Sequence, residues 1–222
     1  MKHQIKRILQ KMSVLGITPN ATLSMDEISE FENKINLKLP ESYVLFLSEI
    51  QAESQSHRLH QKAPYYGFYA LDDALKMNEE WEVSLNEPFA YTADFEFSDV
   101  IDFQEDEDFE ERMQTDSHFA DLVHRYANTG NLNGTLPICE YGCGDFFRLV
   151  VNGSQKGTIW ADCGIINFTG YYALNVDVMT FYENWLDRQI HLKKHPADKA
   201  HFLNAEYPFL EFGNNLKYKS LK

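Results

Sequence analysis

The residues of this chain best suited to metal or covalent chemistry are its three cysteines, Cys139, Cys143 and Cys163. A structural zinc ion takes four tetrahedral ligands, which usually come as two closely spaced pairs of cysteine or histidine. Here one C-x₃-C pair is followed by a distant cysteine, and no histidine lies nearby in the sequence. We therefore expect no metal at these thiols. Cys139 lies on a predicted strand whose alternation turns it into the core, where cysteine packs as a small apolar group.

A thiol hydrolase is the second chemical interpretation. Cys143 sits between two glycines at a predicted turn, and His118, His124 or His191 would have to act as its general base. The sequence supplies no identifiable oxyanion hole or orienting acid, and it contains neither a G-x-S-x-G motif nor a P-loop. We expect no catalytic residues, so the protein is predicted not to be an enzyme.

A two-histidine, one-carboxylate metal site is the third interpretation. Glu53, His57 and His60 would lie on one face of a helix if a helix extended that far. The surrounding segment is polar and rich in glutamine and serine, which favours a frayed end or a loop. The sequence therefore predicts neither a metal nor another cofactor.

Acidic side chains are concentrated in the middle of the chain. Between Asp94 and Asp121 there are twelve carboxylates and a single cation, Arg112. One interpretation is a solvated helix N-terminus, because carboxylates there complement the helix dipole. The other is a surface that binds a basic partner; calcium is a weaker option, because the alternating EF-hand pattern is missing. For the surface we predict the partner-binding residues Asp99, Asp102, Glu105, Asp106, Glu107, Asp108, Glu110 and Glu111.

Composition and charge narrow the class of protein further. The 222 residues are 44% hydrophobic, which is enough for a packed core. A net charge of −14 repels nucleic acid, whose binding requires lysine and arginine at the phosphates. No apolar run approaches the roughly 18–20 residues of a membrane span, and the basic N-terminus lacks the apolar core of a signal peptide. We expect a cytoplasmic protein that binds no nucleic acid, membrane or small-molecule substrate.

The elements that position these residues are predicted from hydrophobic periodicity and from capping residues. Glycine-rich turns separate three β-type runs, which is typical of an antiparallel meander: Leu136–Tyr141, Phe146–Val151 and Thr158–Ala161. Further strands are predicted within Tyr65–Leu71, Phe89–Phe103 and Gly164–Val176. Helices are predicted over Lys2–Leu15, after a capping box of Ser24 and Glu27, after Pro40, from an N-cap at Asp72 to about Leu85, over Asp106–Tyr126, and over Val178–Leu192 with Asp177 as its cap. The pattern predicts an α+β fold, mainly an antiparallel meander sheet flanked by helices at both ends.

Three blocks of this sequence carry motifs in a characteristic order. The first block is an acidic helix followed by LP-x-x-Y-x-x-FL, which here reads Glu32, Leu39, Pro40, Tyr43, Phe46 and Leu47. The second is the meander, with Leu136-Pro137-Ile138, Gly144-Asp145 and Gly157-Thr158-Ile159-Trp160. The third is the closing helix around Met179–Leu186. Together the three blocks resemble the SUKH superfamily of toxin-immunity and cell-wall-regulator proteins. The resemblance implies one SUKH-like domain over residues 1–222, with family-like blocks at 24–50 and 136–187.

The resemblance also implies a function, although the chain departs from the family pattern in two ways. The asparagine-glycine turn that usually follows the FL helix is absent from Ser48–Ser56. Residues 52–134 form a long middle that does not match, and residues 193–222 form a tail that we expect to dock on the body. Bacterial members typically bind and block a toxin domain, so we expect an immunity protein with a cognate toxin domain as its partner. The acidity of the chain adds our own inference that the toxin is a basic nuclease. The alternative is a non-catalytic regulatory module that binds endogenous proteins.

Overall fold

Helices flank a five-stranded antiparallel sheet in the computed structural model, which describes residues 1–18, 22–50, 64, 66–96, 109–142, 144–163 and 170–198. The described helices are α1 (Lys2–Leu15), α2 (Met25–Ile35), α3 (Glu41–Glu49), α4 (Leu71–Glu80), α5 (Phe109–Thr115), α6 (Ser117–Tyr126) and α7 (Val178–Lys194). The strands are β1 (Phe95–Glu96), β2 (Thr135–Gly142), β3 (Asp145–Val150), β4 (Ile159–Cys163) and β5 (Gly170–Ala173). The predicted α+β class is confirmed.

The sheet is built from the predicted meander and one added edge strand. Its order is β1-β5-β4-β3-β2, so β2 to β5 follow one another as sequential neighbours. The turn from β3 to β4 closes with a 2.8 Å hydrogen bond from the Gly157 amide to the Val150 carbonyl. At the far edge β1 pairs with β5, with Phe95 opposite Tyr171. The strand predicted at Tyr65–Leu71 is reduced to one bridge, between Phe68 and Cys139 on the outer side of β2.

One face of the sheet forms a hydrophobic core with residues of α1, α2, α3, α4 and α7. Phe46, Phe68, Phe147, Phe181 and Tyr182 form the aromatic centre of this core, and all five are buried. Phe46 and Tyr182 meet edge to face with ring centroids 5.4 Å apart, an arrangement that aromatic pairs prefer. The residues of the family-like blocks supply most of this layer.

The first and last described helices lie side by side and run parallel. Gln4 Nε2 donates to Thr180 Oγ1 at 3.2 Å, and Arg7 Nε donates to Glu183 Oε1 at 2.8 Å. Lys11 Nζ lies 2.7 Å from the Asp187 carboxylate one turn further on. The register is constant along the two helices, and it joins sequence ends separated by 176 positions.

Helix starts were predicted correctly in two places and wrongly in a third. Ser24 and Glu27 form the predicted capping box, and the Asp177 side chain accepts from the Thr180 amide at 2.8 Å, as predicted. Asp72, however, is not the N-cap of α4. Ala70 occupies that position, and Asp72 lies in the first turn, where its charge still complements the helix dipole. The helix ends at Glu80, earlier than predicted.

The helix predicted over Asp106–Tyr126 is wrong as a single element within the described residues. It is divided into α5 and α6 at Asp116, whose extended backbone and side chain cap the start of α6. Asp116 Oδ1 accepts from the amides of His118 and Phe119, each at 3.1 Å. Aspartate competes for backbone amides in this way, so it favours a helix start over a helix interior. The predicted helix start at 106–108 and most of the predicted tail docking fall outside the described residues.

No helix in the described part of the chain is both long enough and apolar enough to cross a lipid bilayer.

Candidate protein-binding surface

Described residues from the middle of the chain cover the second face of the sheet, and they come from the most acidic part of the sequence. We call these described residues, 81–96 and 109–132, the acidic layer. They contain eight carboxylates and two arginines, and residues 97–108 between them add six carboxylates and no cation to the sequence. Residues 81–132 therefore contribute −12 of the net charge of −14.

Apolar contacts hold the acidic layer on the sheet. Val83, Phe89, Phe119, Val123 and Leu132 are buried in the layer. Their partners on the sheet are the face-two residues Val150, Trp160, Tyr171 and Ala173. The rings of Phe89 and Trp160 meet edge to face at 5.0 Å. Both faces of the sheet are therefore covered, which explains why every residue of β3 is buried.

A buried arginine fixes the point where the chain passes from α4 onto this face. The Arg148 side chain, in the middle of β3, is 1% exposed. Its Nε donates to Thr135 Oγ1 at 2.9 Å, and its Nη2 donates to Asn78 Oδ1 at 2.8 Å. Asn78 in turn donates to the Thr135 carbonyl at 2.7 Å. Nη1 lies 3.7 Å from the carboxylate of Asp162 on β4.

The charge of Arg148 is held in place by its surroundings. Burial lowers the pKa of the guanidinium, and the nearby Asp162 carboxylate opposes that effect. An arginine pKa starts far above neutrality, so the side chain remains a cation. A buried cation of this kind is tolerated only with hydrogen-bond partners and a counter-charge. Arg148 and its partners therefore position the acidic layer on the sheet. The sequence analysis did not predict this buried arginine.

Backbone hydrogen bonds join the acidic layer to the start of β2 and to the β3–β4 turn. The Gly134 amide donates to the Ser84 carbonyl at 2.8 Å, and the Phe89 amide donates to the Asn152 carbonyl at 3.0 Å. A Cβ at Gly134 would lie 2.5 Å from the Phe89 nitrogen and 2.7 Å from the Asn152 oxygen. Only glycine allows two backbone segments to approach this closely.

The outer side of the layer presents carboxylates with little local compensation. Of the predicted partner-binding residues, Glu110 and Glu111 are described, and both are exposed in the first turn of α5. The guanidinium of Arg112 contacts α6: its Cζ lies 4.0 Å from the centre of the Phe119 ring, and Nη2 lies 3.9 Å from Asp116 Oδ2. The other predicted residues, Asp99, Asp102, Glu105, Asp106, Glu107 and Asp108, fall outside the described residues.

The described residues form neither a metal site nor a thiol-hydrolase site around the cysteines and histidines. Cys139 is buried, donates from Sγ to the Pro64 carbonyl at 3.1 Å, and has its pKa raised by burial. Cys163 is buried as well. In the described ranges no three His, Cys, Asp or Glu side chains are grouped to hold a metal ion. Cys143, Glu53, His57 and His60 fall outside those ranges.

The three candidate base histidines lie in two different layers. His118 and His124 are exposed on α6, on the second face of the sheet. His191 lies near the end of α7, with Nε2 2.7 Å from Asp198 Oδ2.

The residues that resemble the family pattern have structural roles where α2, α3 and the β3–β4 turn meet. The Glu32 carboxylate is mostly buried and accepts from the Leu39 amide at 2.9 Å and from Lys38 Nζ at 2.6 Å. A Cβ on Gly157 would lie 3.6 Å from the Cβ of Pro40. The blocks therefore contact one another directly.

The fold is an α+β domain, in which helices cover one face of the antiparallel sheet and the acidic layer covers the other. The motif residues have structural roles within it. The chain belongs to the SMI1/KNR4 family (SUKH-1), whose family model matches residues 22–184. The match includes the acidic layer and begins after α1. No curated protein and no solved structure matches the chain. SUKH-1 membership is compatible with an immunity protein or with a regulatory module, and domains of this family are generally non-catalytic.

Proposed function

We propose that this protein is an immunity protein, folded as one domain over residues 1–222 and located in the cytoplasm, that binds and neutralises a cognate toxin domain. The acidic layer is its contact surface. The observation that carries the proposal is the segregation of charge: residues 81–132 contribute −12 of the net charge of −14, and the described residues Val83, Phe89, Phe119, Val123 and Leu132 among them pack on the second face of the sheet. A need for solubility alone would be met by charges spread over the whole surface.

The partner that fits this surface is a basic toxin domain of the nuclease type. A nuclease must present lysine and arginine to hold phosphates. An acidic inhibitor can occupy that surface, and opposite charges accelerate the encounter of the two proteins. The association rate should then fall as salt screens the charges. No nucleic acid, cofactor or small-molecule substrate takes part in this mechanism.

The contact residues that we propose are Asp99, Asp102, Glu105, Asp106, Glu107, Asp108, Glu110 and Glu111. Glu110 and Glu111 support the proposal directly, because both carboxylates are exposed. The nearest cation in the sequence, Arg112, is engaged with Phe119 and Asp116. An incoming lysine or arginine would therefore meet the exposed carboxylates of Glu110 and Glu111.

The first experiment is a pull-down of the tagged full-length protein from its native cells at low salt, with mass spectrometry of the proteins released as salt is raised. A single stoichiometric basic partner with a toxin domain is the expected result. Recovery of that partner would be followed by toxicity rescue in cells that express the toxin domain alone. If no basic partner is released by salt, the proposal fails.

The acidic layer is then tested by charge reversal. Glu110→Lys with Glu111→Lys should weaken partner binding and reduce its salt dependence, and adding Asp102→Lys, Glu105→Lys, Asp106→Lys and Glu107→Lys should deepen the loss. The matched control is Glu30→Lys with Glu49→Lys, which makes the same change of charge at exposed positions of α2 and α3. If the two doubly substituted proteins bind equally well, the layer serves solubility and not recognition.

One observation favours the regulatory module as a second candidate function. Helix α1 lies before the family-matched residues and exposes Lys2 and Lys6, so it offers a basic surface beside an otherwise acidic protein. Two surfaces of opposite charge suit several partners. Recovery of several sub-stoichiometric endogenous proteins in the pull-down, without a toxin domain, would favour this alternative.

A further inference from the structure

Arg112 contacts both the aromatic ring of Phe119 and the carboxylate of Asp116, and groups of both kinds bind a guanidinium in proteins. Arg112 Cζ lies 4.0 Å from the centre of the Phe119 ring, within the range of a cation–π interaction. Its Nη2 lies 3.9 Å from Asp116 Oδ2. The aromatic face and the carboxylate therefore hold one cation between them, at the junction of α5 and α6.

This pair of groups is positioned by α6 and by its packing. Asp116 uses Oδ1 to cap α6, accepting from the amides of His118 and Phe119, while Oδ2 faces Arg112. Phe119 is 2% exposed and meets the Phe109 ring edge to face at 5.5 Å. Most of the geometry of the site is thus set by the cap and the core.

Arg112, in contrast, is able to leave without unfolding the helix that carries it. Its side chain is 46% exposed, so a rotation about the side-chain bonds takes the guanidinium into solvent. Glu110 and Glu111 are exposed on the same helix, so the guanidinium would remain in an acidic environment after it leaves the Phe119 ring.

We propose that Phe119 and Asp116 form a guanidinium-binding site on the acidic layer, which Arg112 occupies in the free protein and an arginine of the basic partner occupies in the complex. The inference rests on the proposed function and names one contact within it. Arg112 is then a placeholder, which keeps an apolar ring covered until the partner arrives. It also competes with the partner, so its removal strengthens binding.

The test uses methylguanidinium as the probe and does not require the partner. The full-length protein is titrated with methylguanidinium while the Phe119 ring resonances are followed by NMR. In Arg112→Ala the ring resonances should shift and saturate. In the unchanged protein and in Arg125→Ala they should not. Arg125→Ala is the matched control, because it removes the same charge from an exposed position on α6. Equal responses in all three proteins, or none in Arg112→Ala, would overturn the proposal.

A second variant guards against loss of local structure. Arg112→Gln removes the guanidinium from the ring and keeps a polar side chain whose helix propensity is close to that of arginine. It should bind methylguanidinium as Arg112→Ala does, with the dispersion of α5 and α6 amide resonances retained. If both variants lose that dispersion, the ring and carboxylate do not exist as a site without their own cation, and the proposal is wrong.

Once the partner is identified, the association and dissociation rates of its complex with these variants provide a second test. Arg112→Gln should slow dissociation of the complex by about two- to fivefold, which corresponds to one exposed cation–π contact. Arg125→Gln should change the association rate alone, through net charge. A failed titration with intact sensitivity to reversal at Glu110 and Glu111 would remove the guanidinium site and leave the proposed function standing.

Discussion

Arg148 on β3 and Asn78 on α4 satisfy each other in the interior of the protein: Nη2 donates to Oδ1 at 2.8 Å, and both side chains are 1% exposed. The bond joins the centre of the sheet to the end of the helix from which the chain crosses to the second face. Beyond Asn78 the chain turns sharply, with Glu82 at φ 57° and the Val83 amide bonded to the Asn78 carbonyl at 2.8 Å. The position of the acidic layer therefore depends on one buried cation.

Replacing this cation should destabilise the protein strongly. We expect Arg148→Met to lower the free energy of unfolding by about 3–5 kcal/mol, because it removes the cation that faces buried Asp162 and leaves Asn78 Oδ1 without this donor. Arg148→Lys should lose less, since an ammonium keeps the charge but cannot reach both Asn78 and Thr135. Urea unfolding followed by circular dichroism measures both. Arg125→Met, an exposed control in the same layer, should change stability by at most about 0.5 kcal/mol, and equal losses at positions 148 and 125 would contradict the assignment.

Glu183 should make the packing of α1 on α7 sensitive to acid. Burial raises the pKa of this carboxyl, but its hydrogen bonds from Arg7 and Lys11 outweigh burial, and the pKa lies below its ordinary value of 4.5. A lowered folded pKa gives stability that is present above 4.5 and lost as pH falls through the folded pKa. Glu183→Gln should therefore be less stable than the unchanged protein by about 1–3 kcal/mol at neutral pH.

The measurement is the difference in unfolding free energy between the two proteins along an acid series. It should be largest at neutral pH and should shrink below 4.5. Asp187→Asn is the matched control on the same helix, because Asp187 is 55% exposed and forms its ion pair in this network with Lys11 and not with Glu183's partner Arg7. A difference between Glu183→Gln and the unchanged protein that stays constant with pH would show that the charge of Glu183 is not what holds α1.

Two glycines with almost the same backbone conformation should respond differently to alanine. Gly134 has φ 74° and Gly16 has φ 73°. A Cβ at Gly16 meets nothing within 4 Å, whereas at Gly134 it meets three backbone atoms at 2.5 to 2.8 Å. Gly16→Ala should cost about 1 kcal/mol for the left-handed conformation alone. Gly134→Ala should cost more, about 3 kcal/mol or above, because the layer must shift. Equal melting temperatures for the two variants would rule out close backbone approach as the cause.

The thiols should be mostly unreactive in the folded protein. Cys139 and Cys163 are buried, and burial raises the pKa of Cys139, so this side chain stays a protonated thiol at neutral pH. Titration with a thiol reagent at neutral pH should modify at most one cysteine, and the remainder should react after denaturation. Peptide mapping then identifies the modified residue. Rapid, stoichiometric modification of Cys143 at neutral pH would revive the thiol-enzyme interpretation, and its inertness would remove it.

The sequence predicted the elements whose signals are local and missed those that depend on distant partners. The meander, the capping box at Ser24 and the cap at Asp177 are each contained within a few residues, and all three are confirmed. The pairing of β1 with β5 joins Phe95 to Tyr171 across a long stretch of chain, and no local pattern encodes it. Asp116 was treated as one more surface acid, although aspartate among helix formers also signals a new helix start.

The candidate surface was predicted from charge alone. The buried contacts of Arg148 that hold this surface on the sheet were not predicted. Arg148 stands in the middle of an apolar run, Phe146–Val151, in which residues of both alternations are apolar. Such a run indicates a strand buried on both faces. It was therefore a signal that a second layer covers the sheet and that the arginine needs buried partners. Its partner Asn78 is 70 positions away, so the sequence does not name it.

The parallel pairing of α1 with α7 also governs the order in which the chain can mature on the ribosome. The apolar stripe of α1, with Ile8 and Met12 fully buried in the finished protein, finds its docking helix 176 residues later. At about 5–20 residues per second, that helix is synthesised roughly 10–35 s after α1. Throughout that interval the apolar stripe of α1 has no docking helix. Helix α1 therefore completes the fold only after all five described strands have been synthesised, and we expect a chain that stops before α7 to be a substrate for chaperones.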